Sequence, residues 1–167
     1  MPTQPIITLK QLKGRYPYMF AGRNIGISVA WGWLPLFADL CTEIDAALGD
    51  DKQGFHFTQA KEKFGSARWY WSMKKMKPSF KIDLIGPDGV TTLAKTPRSD
   101  KPSDQLYERL DALISDATER TQSMCIVCGQ QGTLNQQDGY VLVLCEQHAK
   151  DRLEGKDFDV WPGEDEE

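Results

Sequence analysis

The sequence contains little of what most enzymes use for catalysis. Only two of its 167 residues are histidines, His56 and His148. It has no G-x-S-x-G serine motif, no phosphate-binding P-loop, no G-x-G-x-x-G dinucleotide loop and no deaminase pattern H-x-E…P-C-x-x-C. His56 lies in an aromatic stretch, which is more typical of a packed side chain than of a general base. We therefore expect that the chain is not an enzyme.

Long apolar runs are also missing. No stretch approaches the roughly 20 apolar residues of a membrane-spanning helix, and the first residues, MPTQPIITLKQLKGRYP, contain no apolar signal-peptide core. These absences predict a cytoplasmic protein with no membrane association.

Positive charge is not in excess either. The net charge is −4, which argues against a general nucleic-acid coat, because such proteins are normally basic.

The charge that is present is unevenly distributed along the chain. Residues 61–81 carry seven basic side chains against one acidic residue, Glu62. Residues 151–167 carry eight acidic side chains against two basic ones. A cationic middle and an anionic end predict two surfaces of opposite potential.

Three of the four cysteines and one histidine lie in residues 125–148, with the sequence CIVCGQQGTLNQQDGYVLVLCEQH. They form two pairs, Cys125-x2-Cys128 and Cys145-x2-His148, which are separated by sixteen residues. A C-x2-C pair fits a zinc knuckle, in which a tight turn directs two thiolates at one ion. Four protein ligands fill a tetrahedral site and leave no position for water or substrate. We therefore predict one structural zinc ion.

The residues between the two pairs predict the fold around the metal. Asp138-Gly139 is a hairpin-turn signal, residues 140–144 have the pattern of a strand, and residues 146–153 predict a short helix beside the second pair. Knuckle, hairpin and helix in this order predict a treble-clef-like zinc subdomain over residues 124–153. The alternatives are two disulfides, which need an oxidising compartment, and an unrelated coincidence of the two pairs.

Hydrophobic periodicity predicts two main helices. Over residues 34–48, apolar residues recur at three- and four-residue steps, Pro35 suits the first turn and Gly49 supplies the end. Cys41 lies on this apolar stripe, so we expect a buried and unreactive thiol there. The second helix covers residues 103–123 and leads almost directly into Cys125.

Alternating patterns predict strands between these helices. Residues 54–73 have the pattern of a β-hairpin with its turn around Lys63-Phe64-Gly65, and residues 80–84 and 90–93 that of two further strands about the turn at 86–89. We predict an α+β fold, with one small antiparallel sheet over residues 54–93 and both helices on one face of it. The predicted division is an α+β domain (1–123), the zinc subdomain (124–153) and an acidic tail (154–167).

The predicted hairpin combines basic and aromatic side chains. Its candidate binding residues, which we call the basic aromatic hairpin, are Lys61, Lys63, Arg68, Trp69, Tyr70, Trp71, Lys74 and Lys75. Aromatic side chains on a sheet can stack on bases while basic residues neutralise phosphates. In the structural alternative, Trp69 and Trp71 belong to the core and the basic residues solvate the other face. Trp31 and Trp33 present the same choice between core packing and exposed binding anchors.

The segments TQAKEKFGSARWYW and CIVCG…LCEQHA, with a GWLPL-type helix before them, resemble a group of uncharacterised small bacterial and phage proteins. Those proteins carry a central KEKFG-x-x-R motif, of the form VKEKFGGLRFY, and a C-terminal C-x2-C…C-x2-H zinc module. The resemblance covers roughly residues 31–149, and Ser66-Ala67 replaces the commoner Gly-Leu pair. It implies a shared fold pattern and a bacterial or phage origin, and it carries no established activity.

Two functions therefore remain open. The missing reaction machinery favours a protein-binding module, such as an immunity or inhibitor protein against a bacterial toxin or effector. Acidic surfaces can occupy the basic cleft of such a partner, and opposite potentials speed association. The acidic end has two other interpretations, a solubilising terminus or a tail that folds back on the basic hairpin. The second function is nucleic-acid binding through the basic aromatic hairpin.

Overall fold

The computed structural model describes residues 7–74, 81–95 and 101–163. The chain combines helices with three small antiparallel sheets. The helices are α1 (Leu9–Arg15), α2 (Pro17–Phe20), α3 (Leu34–Leu48), α4 (Pro102–Arg120) and α5 (Glu146–Leu153), with 3-10 turns at Trp31–Trp33 and Thr121–Ser123. The strands are β1 (His56–Lys63), β2 (Ser66–Ser72), β3 (Lys81–Gly86), β4 (Gly89–Lys95), β5 (Thr133–Gln137) and β6 (Tyr140–Leu144). Within the described ranges, no helix is long and apolar enough to cross a membrane.

Helix α3 has the predicted bounds and the predicted buried stripe. Pro35 occupies its first turn, and Gly49 follows its last residue with φ 66°, a conformation that favours glycine. The stripe is entirely buried and consists of Phe37, Leu40, Cys41, Ile44 and Leu48. The second predicted helix is also present, although its last three residues form the 3-10 turn rather than a continuation of α4.

Strands β1 and β2 form the predicted hairpin with a two-residue turn. Lys63 pairs with Ser66, and the residues between them, Phe64 and Gly65, both have positive φ, 53° and 81°. Two positive φ values in succession match a type I′ turn, whose twist suits a hairpin. A register shift between Phe57 and Gln59 interrupts the pairing.

The prediction of one sheet over residues 54–93 is wrong. Among the strands of the described residues, β3 and β4 pair only with each other, and β1–β2 is a separate two-stranded sheet. Both edges of β1–β2 are already in use. The Ala60 amide on β1 donates to the Gly26 carbonyl at 3.0 Å, and the Ala67 amide on β2 donates to the Thr121 hydroxyl at 2.9 Å. No edge is left open at these positions for a third strand.

The core is built on the aromatic face of β1–β2. The Phe37 ring of α3 lies 5.0 Å from Phe57 and 4.9 Å from Trp69, and the Trp71 ring lies 4.8 Å from Tyr107 of α4. Both main helices therefore contact one face of this hairpin, as predicted. For four tryptophans, the sequence alone left open whether they lie in the core or on the surface. Trp33 and Trp69 are buried, and Trp31 and Trp71 are half-buried against the core.

Candidate metal centre

The first two candidate ligands lie on a tight turn that directly follows the 3-10 turn at 121–123. The Gly129 amide donates to the Cys125 carbonyl at 2.8 Å, and the Cys125 amide donates to the Gln130 carbonyl at 2.7 Å. Gly129 has φ 76°, the left-handed conformation that closes the knuckle. The Ile126 amide donates to the Val143 carbonyl of β6 at 2.9 Å. The knuckle is thereby fixed to the strand that leads to the second ligand pair.

The other two candidate ligands lie at the start of α5. Strands β5 and β6 form a hairpin around Asp138 and Gly139, which have φ 50° and 79° as the turn signal predicted. Strand β6 ends at Leu144, and Cys145 is the N-cap residue of α5. His148 follows in the first turn of this helix. The hairpin therefore returns the chain to the knuckle with a cysteine and a histidine directed at it.

The four side chains meet at one point. Their ligand atoms, from Cys125, Cys128, Cys145 and His148, all lie within 4.8 Å of one another. The His148 Nδ1 atom is 3.4 Å from the Cys125 Sγ atom and 3.2 Å from the Cys145 Sγ atom, and the Sγ atoms of Cys128 and Cys145 are 3.8 Å apart. A tetrahedral zinc ion separates sulfur ligands by about 3.8 Å and sulfur from nitrogen by about 3.5 Å, given its usual bond lengths. These spacings fit one metal ion.

The disulfide alternative is contradicted. All four cysteines of the chain are free thiols. The 3.8 Å between the nearest sulfurs, those of Cys128 and Cys145, is far longer than the roughly 2.05 Å of a disulfide bond. Cys41, the fourth cysteine, is fully buried on α3, away from the cluster, and burial raises the pKa of its thiol to about 12. Its burial on α3 confirms the position that the apolar stripe predicted.

The electrostatics of the cluster differ from thiol to thiol. Cys128 is the exposed member of the cluster, but partial desolvation by the surrounding residues raises the pKa of its thiol to about 12. Burial acts in the same direction on Cys145, but hydrogen bonds from the backbone and ring of His148 outweigh it, and the pKa of Cys145 falls to about 7. Cys145 therefore ionises before Cys128. A bound cation would deprotonate the others, because thiolates are the ligating form.

Two side chains that the sequence did not single out support the site from outside. The Phe158 ring lies edge-on to His148 at 5.7 Å, so the beginning of the acidic tail covers the histidine ligand. Arg152 of α5 donates to the carbonyls of Asn135, Gln137 and Tyr140 at 3.1, 3.2 and 3.0 Å, and to the Asn135 side-chain oxygen at 2.8 Å. This guanidinium holds the β5–β6 hairpin against the helix that carries two ligands.

The 3-10 turn at 31–33 attaches this region to the rest of the chain. The Gly32 amide donates to the Ile126 carbonyl at 2.9 Å, the Trp33 ring NH donates to the Met124 carbonyl at 3.3 Å, and the Trp31 amide donates to the Val160 carbonyl at 3.0 Å. A Cβ atom on Gly32 would lie 2.1 Å from the Cys125 carbonyl oxygen. Gly32 is therefore a docking position that only the absence of a side chain permits, and no sequence signal predicted it.

The basic aromatic hairpin divides between core and surface. Trp69 is 4% exposed, so it belongs to the core and drops out of the predicted binding residues. Tyr70 is 48% exposed, with the Lys61 Nζ atom 5.8 Å from its ring centre, while Trp71 is half-buried. Lys63 and Lys74 are exposed and Arg68 is half-buried, whereas Lys75 lies outside the described residues.

Comparisons with known protein families, with curated proteins and with solved structures found no match to this chain. The resemblance to proteins with the KEKFG-x-x-R motif accordingly stays a prediction.

Proposed function

We propose that the four-residue cluster holds one structural zinc ion in a treble-clef-like subdomain. Three thiolates and one imidazole are the ligands that zinc takes in closed structural sites, and they fill its tetrahedral shell. The knuckle and the start of α5 supply these ligands, with the β5–β6 hairpin between them, in the order that a treble clef requires. The free thiols need a reducing compartment, which supports a cytoplasmic location.

Native mass spectrometry tests the metal assignment. We expect one zinc ion per chain in the wild-type protein and none in Cys128→Ser, because loss of one ligand opens the coordination shell. Cys41→Ser is the matched control, since this thiol is buried outside the cluster, and it should keep the zinc. A wild-type protein that stays fully folded without metal would contradict a structural role.

The protein-binding function rests on one observation, the apolar surface of the β3–β4 hairpin. Five large apolar side chains of this hairpin are between 42% and 60% exposed: Ile82, Leu84, Ile85, Val90 and Leu93. Ile82 and Leu84 lie on one face of the hairpin, and Ile85 and its cross-strand partner Val90 lie on the other. Exposed apolar side chains in such number mark interaction sites in soluble proteins. In a hairpin with a purely structural role, we would expect polar side chains at these exposed positions. We infer that the chain is a non-enzymatic protein-binding module.

The charge distribution supports an immunity or inhibitor protein against a bacterial toxin or effector. The net charge of −4 and the acidic end favour a basic partner such as a nuclease. The described part of the tail is held against the chain, because Val160 and Phe158 contact Trp31 and His148 rather than the basic hairpin. Asp157 and Asp159 are exposed on this part of the tail.

Affinity purification from the organism that encodes the chain tests this function. We expect a stoichiometric protein partner whose complex survives gel filtration, and Leu84→Ser should reduce its recovery because Leu84 is 57% exposed. Leu153→Ser is the matched control, since this leucine is 79% exposed on α5, outside the β3–β4 hairpin. Equal recovery with both variants would count against the hairpin, and the absence of any partner would count against the function.

A second candidate function, nucleic-acid binding, is favoured by a groove beside β1–β2. This groove is lined by Arg23, Asn24, Ile25, Thr58, Gln59, Tyr70 and Trp71 and contains no carboxylate. Tyr70 offers an exposed ring for base stacking, and Arg23 offers a cation for phosphate. The burial of Trp69 leaves fewer stacking surfaces than the sequence predicted.

Mobility-shift assays with single- and double-stranded oligonucleotides at two salt concentrations test this alternative. Binding through the groove should weaken as salt rises, and Tyr70→Ala should weaken it further by loss of stacking. Lys10→Ala is a matched control, because Lys10 is exposed on α1 and is not among the residues that line the groove. The absence of salt-sensitive binding would exclude this function.

A further inference from the structure

The tips of two hairpins and the strand β5 enclose a small groove, which we call the tip groove. Its apolar lining residues are Phe64, Ile85, Val90 and Leu134, and its volume is about 290 Å³. All four side chains are strongly exposed, by 64%, 54%, 42% and 63% respectively. Pockets for whole small molecules usually have volumes of about 300–1,000 Å³. The tip groove therefore suits one or two side chains of a larger partner.

Phe64 occupies a turn position where the backbone conformation favours other residue types. It is the first central residue of the β1–β2 turn and has φ 53°. Type I′ turns favour asparagine, aspartate or glycine there, because bulky side chains are strained at positive φ. Its ring gains no burial in exchange, since it is 64% exposed. A strained and exposed aromatic side chain points to a contact made with another molecule.

The turn that carries Phe64 is held in place. The Gly65 amide donates to the Glu62 carboxylate at 2.7 Å, which fixes the turn from within the hairpin. A Cβ atom on Gly65 would lie 2.8 Å from the Leu134 side chain, so the turn also lies closely against β5. The apolar lining thus spans the β1–β2 hairpin and the metal-binding region as one preformed surface, which lowers the entropic cost of binding.

The charges around the tip groove favour an anionic segment within the partner protein. Arg68 is half-buried in its lining, and its Nη1 atom donates only to the Ser66 hydroxyl at 2.9 Å and the Ala67 carbonyl at 3.3 Å. Across the described ranges, no carboxylate forms an ion pair with Arg68. Lys63 adds a second cation, with its Nζ atom 5.4 Å from the Phe64 ring centre. The lining contains one carboxylate, Asp88, on the exposed β3–β4 turn.

We propose that the tip groove receives an acidic, apolar segment of the partner protein. An aliphatic or aromatic side chain of that segment enters between Phe64 and Leu134, and a neighbouring carboxylate pairs with Arg68, as charge complementarity requires. An exposed aromatic side chain beside an arginine is a common composition of a binding hot spot. This inference rests on the proposed protein-binding function and assigns the contact surface within it.

Site-specific photo-cross-linking tests the assignment in the organism that encodes the chain. The photoreactive analogue p-benzoyl-phenylalanine replaces either Phe64 or the control residue Leu153, which is 79% exposed on α5. We expect a protein cross-link from position 64 and none from position 153. Mass spectrometry of the cross-linked peptide should identify a segment that combines Asp or Glu with large apolar residues.

A substitution then separates binding from folding. Phe64→Asn places a favoured residue in the type I′ turn, so we expect an unchanged or slightly higher melting temperature together with at least a tenfold weaker Kd for the purified partner. Arg68→Gln should also weaken binding, whereas Leu153→Asn should leave Kd within about twofold, as surface positions usually do. Loss of an arginine or an aromatic side chain at the centre of an interface commonly weakens Kd at least tenfold, as we expect for Phe64→Asn.

Every other result contradicts the proposed tip-groove contact, and the results differ in whether they also contradict the protein-binding function. A partner that cross-links from position 153 but not from position 64 removes the tip groove and leaves the protein-binding function intact. The absence of a cross-link from either position, with a partner still recovered by affinity purification, removes the tip groove alone. The absence of a cross-link together with the absence of a recovered partner removes the protein-binding function as well. A cross-link from position 64 to nucleic acid, to a second copy of this chain or to a segment without acidic residues overturns the assigned partner chemistry, as does an unchanged Kd for Phe64→Asn.

Discussion

Substitution of Gly32 by alanine should detach the candidate metal centre from the main core. The added Cβ atom would lie 2.1 Å from the Cys125 carbonyl oxygen and 2.7 Å from both the Gly129 amide nitrogen and the Ile126 carbonyl oxygen. All three atoms belong to the backbone of the knuckle, so no side-chain rotation relieves the clash. Overpacking of this kind costs about 1–3 kcal/mol, and loss of the Gly32 to Ile126 hydrogen bond adds about 0.5–1.5 kcal/mol.

The expected total for Gly32→Ala is therefore about 2–4 kcal/mol. For a chain of this length such a loss lowers the melting temperature by roughly 5–15 °C. Differential scanning calorimetry measures this shift, and transfer of zinc to a chromogenic chelator should be faster in the variant. Gly14→Ala is the matched control, because a Cβ atom there meets nothing within 4 Å and α1 gains a better helix former. Equal melting temperatures for the two variants would refute the docking role of Gly32.

Three further substitutions test individual contacts. Thr121→Val should cost about 1–3 kcal/mol in urea unfolding, because it leaves the buried Ala67 amide without its acceptor. Arg152→Lys should speed zinc release to a chelator, since lysine cannot reproduce the forked donors that hold the β5–β6 hairpin. Hydrogen bonds from Lys52 and Tyr18 lower the pKa of Asp45. Asp45→Asn should therefore lower the melting temperature at pH 7 but converge with wild type as the pH falls below about 4.

The metal cluster was predictable because the residues that define it lie close together in the sequence. Two ligands in each pair are three residues apart, and a turn signal between the pairs returns the second to the first. Helix α3 was predictable for the same reason, since its apolar stripe, its early proline and its terminal glycine all lie within sixteen residues. Both predictions depend on short spacings that few other structures satisfy.

The sheet was mispredicted because its limits are set by residues far away in the chain. Strict alternation would place Gln59 on the same face as Phe57, but the register shift between them places Ala60 in the core at 2% exposure. At the edge of β2, the Ala67 amide donates a hydrogen bond to the hydroxyl of Thr121, a residue 54 positions later in the chain. The sequence of a strand does not show which distant group will form hydrogen bonds with its edge. Alternation therefore predicts individual strands, but it does not predict how many strands join in one sheet.

The turn at Phe64 and Gly65 shows how one short motif carries structural and functional constraints together. Gly65 satisfies the fold: its φ of 81° and the nearby Leu134 side chain both exclude a larger residue. Phe64 satisfies no requirement of the fold, because the same backbone conformation prefers a small polar residue and the ring remains largely in solvent. Sequence reasoning identified the turn from the glycine and passed over the aromatic residue beside it. Since natural sequences usually agree with their local structure, a residue that disagrees with it and is not buried directs attention to binding. Replacement of Phe64 by asparagine is therefore the substitution that best separates the stability of this protein from its function.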